Sequence, residues 1–176
     1  NAVAVKPQLL GAYLRREGLM LRRTKQEVLK ELPPKRRAVQ ELDWNDKLYA
    51  QLMAPILPDV VRWKTDGTLT ASARAMLEES ISQQVRQATG VAKAPYVCQF
   101  VRALLDSGEK VLLFAHHHAV IDIYKKELAS YKPGFITGRE TSDQKDASVE
   151  RFMTGQTDLC VISLRAAAGL NLQRAS

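Results

Sequence analysis

From residue 110 onward, short apolar runs alternate with segments whose apolar residues have helical spacing. The apolar runs cover residues 110–115, 134–137 and 159–162, and the helical segments cover residues 117–130 and 141–152. Short runs bounded by polar or glycine residues predict buried strands, and helices between them are typical of parallel βαβ units. The pattern therefore predicts an α/β fold with helices flanking a parallel sheet. Ligands of such sheets bind at the carboxyl ends of the strands.

The first hundred residues carry helical spacing almost throughout. The predicted helices cover residues 7–17, 24–32, 46–63, 71–88 and 95–107, and alternation over residues 37–43 predicts one short strand. Thr24 and Glu27 form a capping box for the second helix, Pro55 and Pro58 kink or interrupt the third, and Gly90 ends the fourth. We expect a mainly helical N-terminal part that packs against the α/β part.

The composition narrows the class of protein. Hydrophobic residues make up 45% of the 176 residues, which is ordinary for a globular protein. No apolar run approaches the length that crosses a bilayer, and the N-terminus lacks a signal-peptide layout, so we expect a soluble intracellular protein with no membrane partner. Cys98 and Cys160 lie in apolar company and are too few for a disulfide framework, which predicts buried free thiols.

The charge favours a polyanionic partner, since the formal net charge is +7. Much of the excess lies between residues 15 and 37, where nine Arg or Lys residues face three Glu residues. Such a stretch can follow nucleic-acid phosphates, but it is equally the composition of a solvent-exposed helix face and loop. Charge alone leaves both interpretations open.

Two groups of ring side chains invite a functional interpretation. His116–His118 follow the first predicted strand, but adjacent residues at such a turn point in different directions, and no Cys, Asp or Glu stands around them at ligand spacing. We therefore predict no metal site, and interpret the histidines as a polar strand exit and helix cap. Trp44, Tyr49 and Trp63 could stack on nucleobases, although their helical spacing favours packing.

Four segments, in this order, resemble the Swi/Snf-type ATP-dependent DNA translocases, a branch of the superfamily 2 helicases. Residues 21–35 (LRRTKQEVLKELPPK) resemble the segment that joins the two motor lobes. Residues 111–117 (VLLFAHH) are similar to helicase motif IV in its annealing-helicase form, residues 136–152 to the glycine-containing block after it, and residues 161–172 (VISLRAAAGLNL) to motif V. Alanines in the motif V loop resemble bacterial members.

The resemblance implies a function for the full-length protein. Family members bind ATP and magnesium between two RecA-like lobes and translocate along duplex DNA as the lobes open and close. A glycine-lysine-threonine phosphate loop and an Asp-Glu magnesium box do not occur in this sequence, which also stops before motif VI. We expect the interlobe segment and most of the second lobe of a DNA-dependent ATPase. It would have no complete catalytic site, and the first lobe would bind most of the nucleotide.

The resemblance also implies which residues contact ligands. The predicted nucleic-acid-binding residues are Thr137, Gly138, Arg139, Ser163, Arg165, Arg22 and Arg23. Gly169 and Asn171 are predicted to couple the nucleotide to the other lobe. Hydroxyl, guanidinium and backbone amide groups are suitable donors to phosphate. Without the resemblance to the family, Gly169 would be interpreted as a simple turn glycine and Arg139 as a solvent-exposed arginine. Lys145 stands where the family usually has arginine, and so keeps the charge but loses the bidentate fork.

The expected organisation has three parts: interlobe helices with a basic segment in residues 1–36, a helical protrusion in residues 37–94, and a partial second RecA-like lobe in residues 95–176. The expected partners of the monomeric chain are duplex DNA and an N-terminal RecA-like lobe of the same protein. The expected location is the cytoplasm of a bacterium, in association with DNA, or the nucleus of a eukaryote. The alternative function is a free-standing nucleic-acid-binding α/β module without a motor.

Overall fold

The computed structural model describes residues 7–21, 37–167, 169, 170 and 172–175. The chain divides into two compact units, residues 1–40 and residues 41–176. The predicted helix at residues 24–32 lies outside the described residues, as do the predicted site residues Arg22, Arg23 and Asn171. In the first unit, helix α1 spans Pro7–Arg16 and is followed by Gly18 at φ +71°, which confirms the predicted helix at residues 7–17.

Two short helices open the second unit. Helix α2 spans Asp46–Met53 and helix α3 spans Leu57–Thr65, so the interruption predicted from the two prolines is confirmed. The side-chain oxygen of Asn45 caps α2 by accepting from the Leu48 N–H at 3.0 Å. The strand predicted at residues 37–43 is wrong, because these residues pair with no strand in the described part of the chain.

Helix α4 spans Ala71–Asp106 without a break, and the Thr70 hydroxyl caps it by accepting from the Ala73 N–H at 3.2 Å. The prediction that Gly90 separates two helices is therefore wrong. Gly90 lies where α4 packs closely on the next helix, and Pro95 lies inside α4. Packing along the whole helix outweighs the local preference of these two residues to end it.

The strands form a parallel sheet, as predicted. Strands β1 (Val111–Ala115), β2 (Gly134–Ile136) and β3 (Leu159–Ser163) have the order β1-β3-β2, which places β3 in the centre. Helix α5 spans His118–Glu127 between β1 and β2, and helix α6 spans Ser142–Met153 between β2 and β3. Short 3-10 turns cover residues 129–131 and 173–175.

A capping box begins helix α6, as the sequence predicts. The Thr141 hydroxyl accepts from the Gln144 N–H at 3.3 Å, and the Gln144 side chain accepts from the Thr141 N–H at 3.0 Å. These two bonds fix the direction in which the chain leaves β2 and enters the helix.

The central strand β3 separates two apolar layers. Leu159 and Val161 pack in one layer with residues of α4 and α5, whereas Cys160 and Ile162 pack in the other with residues of α6 and the C-terminal segment. Period-two alternation in a strand produces this division. Cys98 and Cys160 are buried free thiols, as predicted. No helix in the described parts of the chain is long and apolar enough to cross a membrane.

Arg174 ties the C-terminal turn to the connection between α6 and β3. Its guanidinium donates to the carbonyl oxygens of Phe152 at 2.9 Å and Thr157 at 3.2 Å, and it pairs with the Asp158 carboxylate at 2.8 Å. Gly155 lies beside it at φ +81°, and a Cβ there would stand 3.1 Å from the guanidinium. The arginine therefore takes the place that a side chain at residue 155 would need.

Candidate nucleic-acid interface

A cavity of about 700 Å³ lies at the carboxyl ends of the strands. Its walls come from the loops after β1, β2 and β3, from the last residue of β3 and the first two residues of α5, and from one residue each of α4 and α6. The lining residues are Gln87, His116, His117, His118, Ala119, Thr137, Gly138, Lys145, Ser163, Arg165 and Ala166. The cavity thus lies at the sheet edge where the sequence predicts ligands to bind.

The loop after β3 contributes a hydroxyl and a guanidinium. Ser163 is buried at the end of the strand, and the next peptide continues the ladder because the Leu164 N–H donates to the Ala115 carbonyl at 3.2 Å. The Ala166 N–H then donates to the Ser163 carbonyl at 2.9 Å, which turns the chain. Arg165 projects from this turn as an exposed side chain that lines the cavity.

Arg165 and Lys145 bring positive charge to the cavity without a neutralising partner. In the described parts of the chain, neither side chain has a hydrogen bond or an ion pair, and no acidic residue is among the lining residues. Lys145 lies near the N-terminus of α6, where the helix dipole disfavours a cation, so the charge of Lys145 does not stabilise the helix. Both cations are therefore available to an anionic ligand.

The three consecutive histidines also line the cavity. His117 holds the N-cap position of α5, but its side chain makes no capping hydrogen bond, so only the position of the predicted cap is confirmed. The rings of His116 and His117 lie with their centroids 4.8 Å apart. Partial burial, with smaller contributions from His116 and Arg86, lowers the pKa of His117 below the ordinary value for histidine.

Thr137 reaches the cavity, yet its donors are engaged by a carboxylate. Its N–H donates to Glu140 Oε2 at 2.6 Å, and its hydroxyl donates to Glu140 Oε1 at 2.8 Å. Partial burial alone would raise the pKa of Glu140. The bonds from Thr137, with backbone N–H groups of Glu140 and Gly138, outweigh that cost and hold the pKa below the ordinary value for glutamate.

The remaining predicted residues have different surroundings. Gly138 is exposed at the cavity wall with φ +92°, as a tight turn requires. Arg139 lies outside that wall and pairs with Asp122 of α5 at 2.6 Å, so the structure brings Thr137, Gly138, Ser163 and Arg165 together without it. Gly169 has φ +79° and is likewise not among the residues that line the cavity.

The histidines, Lys145 and Gln87 were not predicted as site residues. His116–His118 follow a predicted strand, and Lys145 follows a predicted helix start. Both positions lie at the carboxyl end of the predicted sheet, so the sequence could have indicated these residues as part of the site. Gln87 had no such signal in the sequence. It reaches the cavity from the middle of α4, close to Gly90, where the sequence predicted that a helix would end. The structure thus extends the predicted site around the whole sheet edge.

The aromatic pair near α2 is already packed. Trp44 stacks on Tyr49 with ring centroids 4.8 Å apart and an interplanar angle of 15°, and the Lys93 ammonium lies 5.9 Å from the centre of the Trp44 ring. The two rings pack against each other as the helical spacing suggested, although Trp44 remains 40% exposed. These contacts leave the stacking of nucleobases on this pair without support.

The chemistry of the cavity suits a phosphate. Guanidinium, ammonium and hydroxyl groups donate to phosphate oxygens, and imidazole can do so as well. Magnesium instead needs carboxylate or other oxygen ligands, and the described residues hold no group of three or more His, Cys, Asp or Glu side chains that could bind a metal ion. We therefore assign no step through magnesium to these residues.

A parallel sheet flanked by helices, with a cavity lined by Lys145 and Arg165 at the strand ends, is the architecture of a RecA-like domain. The fold is similar to that of the Sulfolobus solfataricus SWI2/SNF2 ATPase C-terminal domain, with a TM-score of 0.55 and 17% identity, over 70% of this chain and 63% of that one. Residues 92–176 match the helicase conserved C-terminal domain.

The chain belongs to the Swi/Snf-type superfamily 2 helicases and carries their C-terminal helicase domain. It is 32% identical over 172 residues to the Xenopus tropicalis SWI/SNF-related matrix-associated actin-dependent regulator of chromatin subfamily A-like protein 1, covering 90% of this chain and 17% of that protein. It is 29% identical over 174 residues to the mouse DNA annealing helicase and endonuclease ZRANB3, covering 90% of this chain and 15% of that protein. The chain thus spans about a sixth of the length of these relatives.

Proposed function

We propose that this chain supplies the DNA-contacting C-terminal lobe of an ATPase that translocates on duplex DNA and remodels DNA or protein-DNA structures. The observation that carries the proposal is a pair of cations, Lys145 and Arg165, that have no hydrogen bond or ion pair among the described residues and line a cavity at the strand ends together with Ser163. Family membership supports it, and the mouse relative is named as a DNA annealing helicase.

In this proposal, Lys145 and Arg165 hold phosphates of the DNA backbone, and the Ser163 hydroxyl supplies a further donor. Contacts to phosphates position a protein on the duplex without selecting a base sequence. A protein that moves along DNA needs contacts of this kind, because every step must find equivalent ligands. The two cations come from helix α6 and from the loop after β3, so two different elements at the same edge of the sheet hold the DNA backbone.

The proposal also assigns roles to the other segments. Residues 1–36 join the two lobes, residues 37–94 form a protrusion, and residues 95–176 form the lobe that holds DNA. ATP and magnesium bind mainly to an N-terminal RecA-like lobe, and Gly169 and Asn171 carry the effect of the nucleotide across the lobe interface. Arg22 and Arg23 are further contacts to DNA, whereas the pairing of Arg139 with Asp122 leaves Arg139 out of the proposed interface. The protein acts where its DNA is, which is the nucleus in a eukaryote.

Fluorescence anisotropy with a labelled duplex, across a series of salt concentrations, tests the phosphate contacts. Lys145→Ala and Arg165→Ala should each weaken binding and reduce the slope of log K against log salt concentration by about 1. The matched control is Lys110→Ala, which removes the same charge from an exposed lysine just before β1, at the opposite end of the strand from the cavity. Equal effects at the three positions would overturn the assignment of the cavity.

The motor part of the proposal needs the full-length protein. Arg165→Ala there should lower DNA-stimulated ATP hydrolysis while the thermal stability of the protein remains unchanged. Stimulation equal to the wild type would remove Arg165 from the interface. Full-length protein that binds DNA through the cavity without any DNA-stimulated hydrolysis would instead favour a binding module without a motor.

A further inference from the structure

We propose that His116, His117 and His118 are phosphodiester ligands of the cavity, and that they bind the phosphate in their protonated form. DNA binding would then take up protons and become tighter as the pH falls. This proposal rests on the function proposed above and names three ligands and a regulation of the same site. The imidazolium ion donates from both ring nitrogens, so each ring becomes a charge-assisted donor when it gains a proton.

The first observation is the position of the imidazole rings. All three line the cavity with Lys145 and Arg165, and none of them has a hydrogen bond to another described residue. His116 and His118 are exposed and His117 is half-buried. His117 holds the N-cap position of α5, but its ring makes no capping hydrogen bond and so does not serve as the helix cap.

The second observation is the charge around His117. Arg86 approaches it from α4, His116 and His118 flank it, and Lys145 and Arg165 share the cavity wall. In the described part of the chain, no acidic side chain lines either the cavity or the adjoining groove that holds Arg86. Burial, His116 and Arg86 lower the pKa of His117, so its surroundings within the protein oppose its protonation.

A phosphodiester changes this balance. Its negative charge offsets the surrounding cations and favours the charged form of each imidazole that it contacts. The complex then holds more protons than the free protein and free DNA together. By linkage, affinity rises as the pH falls, by at most about tenfold per pH unit for each proton taken up.

The composition makes the proposal easy to test. These are the only three histidines in the chain. Burial raises the pKa of the Cys98 thiol to about 11 and that of Cys160 to about 12, which removes the thiols from the neutral range. Between about pH 5.8 and 7.0, below the ordinary range of an α-amino group, histidine is the side-chain type whose charge ordinarily changes in proteins.

Binding of a labelled duplex is measured at constant ionic strength across this pH range, for the wild type and for a variant that carries His116→Gln, His117→Gln and His118→Gln. We expect the wild-type affinity to increase several-fold on acidification and the triple variant to show a nearly flat profile. Lys110→Ala should keep the wild-type pH dependence. Circular dichroism confirms that each variant is folded.

Calorimetry of the wild type gives a second measurement that needs no variant. Titration of the duplex near pH 6.4, in two buffers with different ionisation enthalpies, reports the number of protons taken up per complex. An uptake of about one proton or more is expected. Zero uptake, or a triple variant that keeps the wild-type pH profile, would overturn the role of the histidines.

The outcomes separate this proposal from the one on which it rests. If Lys145→Ala and Arg165→Ala weaken binding but the wild-type affinity does not change with pH, the DNA interface stands and the histidines are not its ligands. If binding is indifferent to Lys145 and Arg165 at every pH, the proposed function fails, and the histidine ligands fail with it.

Discussion

Gly90 of α4 lies so close to Val120 of α5 that a Cβ on residue 90 would stand 2.9 Å from Val120 Cγ2. Val120 is buried, and its branched side chain has little freedom to turn away. The contact explains why glycine occupies the middle of a continuous helix, where it costs about 1 kcal/mol relative to alanine. Close packing of α4 on α5 depends on the missing side chain.

Gly90→Ala is therefore expected to destabilise the protein, although alanine favours helices. The overpacking costs about 1–3 kcal/mol, which exceeds or cancels the gain of about 1 kcal/mol in helix propensity. Urea denaturation measures the difference, and adding Val120→Ala should remove the clash in a double-mutant cycle. Gly67→Ala is the control, since a Cβ there meets nothing within 4 Å. A stabilised Gly90→Ala variant would contradict the packing.

Arg174→Ala should lower the free energy of unfolding by about 1–3 kcal/mol, because it removes the donor to the Thr157 carbonyl oxygen and leaves the Phe152 carbonyl oxygen with backbone donors only. Thermal denaturation provides the measurement. Arg62→Ala breaks a pair with Asp66, 3.7 Å apart, in which the arginine is more exposed, and should change the stability much less. Equal losses in the two variants would mean that Arg174 is an ordinary surface arginine.

Thr137→Val is expected to reduce stability by about 1 kcal/mol, since it removes the hydroxyl that donates to Glu140. Duplex binding should change little, because the structure commits that hydroxyl to Glu140 and leaves phosphate contacts to Lys145 and Arg165. Denaturation and anisotropy on the same sample distinguish the two effects. A loss of DNA affinity without a loss of stability would instead support the phosphate contact predicted from the family.

Glu140 should also make stability depend on pH in the acid range. Its pKa in the folded protein lies below its ordinary value, so the unfolded chain binds the proton more tightly. The stabilisation is therefore present above the ordinary pKa of glutamate, about 4.3, and is lost as the pH falls through the lower folded value. We expect the wild type to be more stable than Glu140→Gln at pH 6 and the difference to shrink below about pH 4. A constant difference would show that the charge of Glu140 is irrelevant.

Both thiols should resist alkylation until the protein unfolds. Burial leaves Cys98 and Cys160 inaccessible and raises the pKa of each, so the reactive thiolate is scarce at neutral pH. Iodoacetamide labelling followed by mass spectrometry should show slow modification in buffer and rapid modification of both residues in denaturant. Fast labelling of Cys160 in buffer would place strand β3 outside the core.

Much of the α/β part follows from local pattern. The strands at β1, β2 and β3, the helices between them and the capping box of Thr141 and Gln144 were all predictable, because each depends on residues close together in sequence. The family followed from the order of its motifs. The position of the site at the carboxyl ends of parallel strands followed from topology alone.

Tertiary structure decided what the local pattern could not. Gly90 and Pro95 favour a break, but contacts with α5 and the sheet keep α4 continuous, and those contacts join residues far apart in sequence. Thr137 and Arg139 carry suitable donors for phosphate, yet Glu140 and Asp122 engage them. Which donors remain free depends on the partners that the fold brings near.

The sequence by itself determined the family, the parallel sheet and the sheet edge that holds the candidate site, since these rest on the type and order of residues. Only the tertiary structure decided that Lys145, Arg165 and the three histidines share one cavity without an acidic lining residue among the described ones. They come from different loops and helices, and the electrostatic field at a point depends on distances in space, which spacing along the chain does not specify.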